Sequence, residues 1–134
     1  MTDNDSVTDL NRSIMERFYA AGARGDIDAM MDYLADDVVI HEPPYLPFGG
    51  EYRGKEGLAA ISQAVGPLAD ATQFKVNYIV ADGDRTVAVG GFPVNDTGQF
   101  TLFAEEATLA DGKIVEIRIY YHDAQSLIGA AERR

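Results

Sequence analysis

The spacing of apolar residues changes once along this chain, near residue 70, and that change restricts the fold more than any other feature. Before it, apolar side chains recur at three- and four-residue steps: Val7, Leu10, Ile14, Phe18 and Ala21, then Leu58, Ile61, Val65 and Leu68. Such steps line one face of an α-helix. After it, apolar and polar residues alternate, as in Phe74, Val76, Tyr78 and Val80. The alternating runs are punctuated by Asp82-Gly83-Asp84, Asn95-Asp96-Thr97-Gly98 and Asp111-Gly112, which are turn sequences between antiparallel strands. Helices first and strands afterwards imply an α+β fold, with N-terminal helices packed on one face of a curved, mostly antiparallel sheet. A curved sheet closed by helices encloses a cone, and a cone can hold a ligand.

Local signals divide the helical half. Residues 1–6 are acidic and polar and read as a flexible tail, leaving 7–134 as a single domain. The first helix should stop near Gly22 to Gly25, and Asp26 can cap a second one whose buried side is Ile27, Met30, Met31 and Leu34. Gly54 precedes a third helix that Gly66-Pro67 brings to an end.

Between the second and third helices lies the stretch from Val38 to Gly54. Val38, Val39 and Ile40 favour a strand, whereas Pro43 and Pro44 interrupt regular pairing. His41 and Glu42 therefore stand at a strand end, a common place for functional side chains. Strand parity singles out further acids. In the last strand Val115, Ile117, Ile119, Tyr121 and Asp123 share a face, and in the strand before it Phe103, Glu105, Ala107 and Leu109 do. Glu42 has the parity of Val38 and Ile40. Three carboxylates from separate strands thus point toward one apolar cavity, where desolvation and mutual repulsion raise at least one pKa.

Composition removes several chemistries. The formal net charge is −11, from 22 acidic and 11 basic residues, which argues against nucleic acid or an anionic membrane as partner. Without cysteine there is no thiolate or disulfide chemistry. The chain has 2 histidines, and each adjoins an acid of opposite strand parity, so neither His41-Glu42 nor His122-Asp123 makes a chelating pair; no metal site is expected. No signal peptide or membrane span is visible, and the default location is the cytoplasm.

Taken together, Arg24-Gly25-Asp26-Ile27-Asp28, Leu34-Ala35-Asp36-Asp37-Val38-Val39 and His41-Glu42-Pro43-Pro44 resemble the NTF2-like superfamily, above all its SnoaL-like polyketide cyclase and ketosteroid isomerase branches. Asp111-Gly112-Lys113-Ile114-Val115 leading to Tyr120-Tyr121-His122-Asp123-Ala124 resembles the SnoaL-like branch most closely. The resemblance implies a cone-shaped cystatin-like fold and a two-fold homodimer, with Glu116, Arg118 and Tyr120 on the interface. It sets Glu42 where the isomerases have their proton-shuttling aspartate, Glu105 near their protonated oxyanion-hole acid, and Asp123 on the acid/base aspartate of the cyclases. Phe18 falls where the isomerases place a tyrosine, with Tyr19 one residue on. The Arg-x-Asp pair of limonene epoxide hydrolases has no counterpart in Thr86-Val87-Ala88-Val89.

The reading is a cofactor-free enzyme moving a proton next to a carbonyl, giving cyclisation, isomerisation or dehydration of a hydrophobic, polyketide-like molecule. Asp123 is the preferred acid/base and His41 its partner, Glu42 is the alternative base, and Glu105 is a neutral donor to the enolate. Phe18, Tyr19, Tyr45, Phe48, Tyr52, Phe103 and Tyr121 are the expected substrate-binding residues. The rival reading is a non-catalytic module that binds a small ligand or a protein.

Overall fold

The computed structural model describes residues 2–70, 73–95 and 99–133. Its first helix, α1 (Thr2–Ala23), starts earlier than its apolar steps suggest and runs through most of the expected tail. Acidic residues near a helix N-terminus favour this, because the unpaired amides there carry partial positive charge. Side chains also hold α1 onto the sheet: Thr8 Oγ1 accepts from the Gly83 amide at 2.7 Å, and Asn11 Nδ2 donates to the Gly83 carbonyl at 2.8 Å. Asp26 caps the short α2 (Ile27–Met31) as expected, its Oδ1 accepting from Ala29 N at 3.1 Å.

The sheet has six strands in the order β2-β1-β6-β5-β4-β3. β1 (Leu34–Glu42) lies parallel to β6 (Lys113–Tyr121) and antiparallel to β2 (Gly50–Arg53). β3 (Lys75–Asp82), β4 (Arg85–Pro93), β5 (Phe100–Ala110) and β6 follow one another as an antiparallel meander. The turn expected at Asn95-Asp96-Thr97-Gly98 lies, Asn95 apart, outside the described residues. β2 was not expected. The Pro43–Gly49 loop folds back so tightly that a Cβ on Gly49 would lie 2.1 Å from the Pro43 carbonyl oxygen, and this returns the chain beside β1.

The meander departs from strict alternation at two points: in the β5–β6 ladder, where a slip between Thr108 and Leu109 buries Ile114 in place of the expected Val115, and in the β3–β4 ladder. In the latter, register slips between Val76 and Tyr78, so Ile79 is partly buried while Tyr78 and Val80 are 56% and 54% exposed. Gly90 allows this, since a Cβ there would lie 2.0 Å from the Lys75 carbonyl oxygen.

Two apolar clusters fill the concave side. The larger joins α1 and α3 (Lys55–Val65) to the inward rows of β1, β4, β5 and β6, with Met15, Leu34, Val38 and Ile114 at its centre. The second packs Leu46 and Phe48 of the loop against α4 (Gln125–Glu132), a helix beyond the last element read from the sequence. Val65, Phe74 and Tyr121 touch both clusters.

The Asn11 contact gives a test of how α1 is anchored. Asn11 is only 4% exposed, and its amide supplies the Gly83 carbonyl with a hydrogen bond. Asn11→Ala should destabilise the fold by about 1–3 kcal/mol in urea unfolding, with an unchanged denaturant slope.

Candidate active site

Glu42 ends β1, Glu105 lies within β5, and β6 runs between them. Ile119 pairs with Glu105, and one step past the His41–Arg118 pair brings Glu42 level with Ile119 on the other side. Two strand spacings, roughly 10 Å, separate their backbones, and the concave curve of the sheet tips the side chains together. Both are buried, at 4% and 9% exposure. Each carboxyl has its own phenol: Tyr121 donates to Glu42 Oε1 at 3.1 Å, and Tyr19 of α1 donates to Glu105 Oε1 at 2.9 Å.

The two acids share a cavity of about 180 Å³. Helical residues Phe18, Leu58 and Ile61 form one wall, and the sheet residues Ile40, Ile117 and Ile119 form the other. Gly22, Met30, Ser62, Gly66 and Asp70 line the cavity and reach solvent, so they mark its mouth between the ends of α1 and α3. Phe74 supports one side of it, stacked on Tyr19 at 6.5 Å, Phe92 at 5.7 Å and Phe103 at 4.6 Å between ring centroids.

Burial decides the electrostatics. Loss of water pushes the Glu42 carboxyl up to about 8, the nearby Glu105 charge adds to this, and the Tyr121 hydroxyl opposes it. Burial raises Glu105 to about 7 against the lowering effect of Tyr19. The phenols follow the acids: burial and then Glu105 raise Tyr19, and burial and then Glu42 raise Tyr121 far above the ordinary phenol range. Both acids thus keep their protons to a higher pH than exposed carboxyls do.

The expected site residues separate into two groups. Glu42, Glu105, Phe18, Tyr19 and Tyr121 line the cavity. Phe103 is buried behind it, under Phe74. Asp123 does not join them. β6 ends at Tyr121, so the strand parity that aimed Asp123 inward does not extend to it. Its Oδ1 instead accepts from Ser126 N at 3.4 Å in the first turn of α4. His41 is on the opposite face of the sheet from Glu42, with Nε2 2.7 Å from Glu116 Oε2. Phe48 belongs to the second apolar cluster, Tyr52 donates to its carbonyl at 2.6 Å, and Tyr45 is 62% exposed.

Two contributors escaped the sequence. Phe74 read as the start of a strand, and Met30 as core filling. Only three-dimensional packing shows that both face the cavity. Among the described residues no group of three or more His, Asp or Glu is placed to hold a metal ion, and no helix is long and apolar enough to cross a membrane.

Raised carboxyl pKa values make stability depend on pH with a definite sign. The folded state holds the two protons more tightly than an unfolded chain with carboxyls near 4.5 does. That stabilisation is complete below about 4.5 and is lost as pH rises through about 7 and 8. The Glu42→Gln, Glu105→Gln double variant escapes the loss. Its advantage over the parent should be near zero at pH 5 and reach on the order of a few kcal/mol at pH 9, read from paired urea titrations.

Comparison with known proteins agrees with this architecture. No curated protein matches the chain significantly in sequence. Among solved structures, an NTF2-like protein from Burkholderia xenovorans LB400 is 28% identical, with a TM-score of 0.75 over 92% of this chain and 96% of that one. An NTF2-like protein from Burkholderia thailandensis E264 is 25% identical, with a TM-score of 0.75 over 92% and 97% of the two chains. TerC, co-crystallised with polyporic acid, is 20% identical and shares the fold, with a TM-score of 0.80 over 92% and 98%. The family profile described as a SnoaL-like domain matches residues 15–117, which takes in the second half of α1, most of the cavity lining and both acids. The chain belongs to the SnoaL-like domain family of the NTF2-like superfamily.

Proposed function

We propose that this protein is an enzyme that moves a proton next to a carbonyl of a small hydrophobic molecule, with Glu42 and Glu105 acting as a pair. The observation that supports the reading is the arrangement of two desolvated carboxyls, each bonded to a phenol, in one apolar cavity. In the singly protonated pair, the ionised carboxylate takes the α-proton. The C–H electron pair then moves toward the carbonyl oxygen, and the protonated carboxyl and a phenol hydrogen-bond the enolate that forms. Return of the proton to a different carbon gives isomerisation, loss of a β-hydroxyl gives dehydration, and attack on a second carbonyl gives cyclisation. No protein cofactor enters this sequence of steps. TerC, of the same fold, was co-crystallised with polyporic acid, which agrees with a small-molecule ligand.

The test is exchange of ketone α-protons in heavy water across a panel of cyclic ketones and polyketide aldehydes. Glu42→Gln and Glu105→Gln should each slow exchange by about a hundred- to ten-thousand-fold, since each removes one half of the pair. Asp123→Asn should leave it near the parental rate. Activity against pH should be bell-shaped with its maximum between about 7 and 8: below this both acids are protonated and no base remains, and above it both are ionised and no acid remains. Undiminished exchange in both Gln variants would sink the proposal. If Asp123→Asn alone were dead, the base would lie at the end of β6.

We also propose a two-fold homodimer through the outer face of the sheet. Tyr78, Val80, Leu102 and Tyr120 are 56%, 54%, 41% and 49% exposed there, side by side across β3 to β6. Beside them lie Arg85 with Glu106 and Arg118 with Glu116, charges of both signs that can pair with their own two-fold copies. Light scattering should give twice the 14.6 kDa chain mass, and Leu102→Glu should halve it. A concentration-independent monomer in the parent would refute the dimer.

A further inference from the structure

The cavity wall is acidic and aromatic, and it is short of positive charge. Among the described residues that line it there is no lysine, arginine or histidine, while Glu42 and Glu105 stand within it and Asp70 at its mouth. The acids have capacity to spare. Tyr121 and Tyr19 bond the Oε1 atoms, and neither Oε2 has a hydrogen-bond partner among the described residues. No fully enclosed side-chain oxygen among those residues lacks a partner, so both Oε2 atoms open onto free space. The rings of Phe18, Tyr19, Phe74 and Phe92 line the same cavity, and ring faces carry partial negative charge. A net charge of −11 draws cations toward the mouth and repels anions from it.

An anion placed here would meet two acids with no counter-ion. A neutral ligand would be tolerated by a protonated pair. A cation engages the open carboxyl oxygens and the ring faces together and balances the charge of the pair as well.

We propose that this cavity also takes a hydrophobic arylalkylamine, bound as its ammonium ion against Glu42 and Glu105, with its ring among Phe18, Tyr19, Phe74 and Phe92. The ammonium displaces the proton from the acid pair and takes over its hydrogen bonds, so an amine bound in this way competes with a carbonyl compound for the same two acids. This goes beyond the proton-transfer reading, because it assigns the cavity a second class of ligand, distinguished by charge and bound without reaction.

Three indoles of similar shape and different charge provide the test: tryptamine, tryptophol and indole-3-acetate. The chain has no tryptophan, so indole fluorescence excited to the red of tyrosine absorption reports binding without background from the protein. At pH 8.5 tryptamine remains an ammonium ion, amines of this kind ionising near about 10. Tryptamine should bind on the order of tenfold more tightly than tryptophol, with indole-3-acetate weakest. Calorimetry in two buffers of different ionisation enthalpy should show proton release on tryptamine binding near pH 7.5 and none with tryptophol. The Glu42→Gln, Glu105→Gln double variant should bind tryptamine no better than tryptophol.

Tryptophol binding as tightly as tryptamine would overturn the proposal. So would binding of none of the three, or an amine preference that survives in the double variant, because surface charge alone would then account for it. None of the three indoles needs to react, so failure here leaves the deuterium-exchange result standing, and failure there leaves this one.

Discussion

Keeping two carboxyl groups away from water is the constraint on which this structure depends. Glu42 and Glu105 stand among isoleucine and aromatic side chains that would pack at lower cost against leucine. The fold compensates in three ways. Each acid receives a phenolic hydrogen bond, the two retain protons into the neutral range, and their second oxygens open onto a cavity instead of packed hydrocarbon. Perturbed carboxyls of this kind concentrate at functional sites, and this pair is the support for the proposed function.

The sheet is what makes the pairing geometrically possible. Because β1 joins β6 in parallel at one side and β5 joins it antiparallel at the other, a strand end and a strand middle are brought level across Ile119. The Pro43–Gly49 loop then turns back immediately beyond Glu42, and Leu46 and Phe48 anchor it in the second cluster beneath α4. The strand end that carries the acid is thereby fixed from both directions. On the helical side, α1 supplies Tyr19 from a position set by its Asn11 and Thr8 contacts to the β3–β4 turn. One member of the site thus depends on a helix and the other three on strands.

Much of this was legible in the residues. The change of period near residue 70 foretold helices followed by a meander, and Asp26 foretold the cap of α2. Parity placed Glu42 and Glu105 on the inner face correctly, because both lie in regular ladder positions. It misled for Asp123, which lies two residues past the end of β6, where alternation no longer governs direction. It misled again at Tyr78 and Val80, since the slip that turns them outward depends on how closely β3 approaches Gly90, a cross-strand contact invisible in linear order. β2 was hidden for a related reason: four residues are too few to show alternation, and only the sharp turn at Gly49 brings them beside β1. The resemblance set a tyrosine site at Phe18, whereas the hydroxyl that reaches Glu105 belongs to Tyr19, a difference of helix rotation that spacing alone leaves open.

The mouth of the cavity is built separately from its floor. Gly22, Met30, Ser62 and Gly66 belong to helix ends and their connections, whereas the acids belong to hydrogen-bonded strands. An added methyl at Gly22 would press on the flexible end of Met30, 3.1 Å away, and one at Gly66 would meet the Ser62 carbonyl oxygen at 3.0 Å. The first neighbour can yield and the second cannot. Of the two rim glycines, Gly22 is therefore the one at which the aperture can be narrowed by small steps without disturbing a strand. Descendants of such a chain can exchange one ligand for another at the rim while passing on the same acid pair.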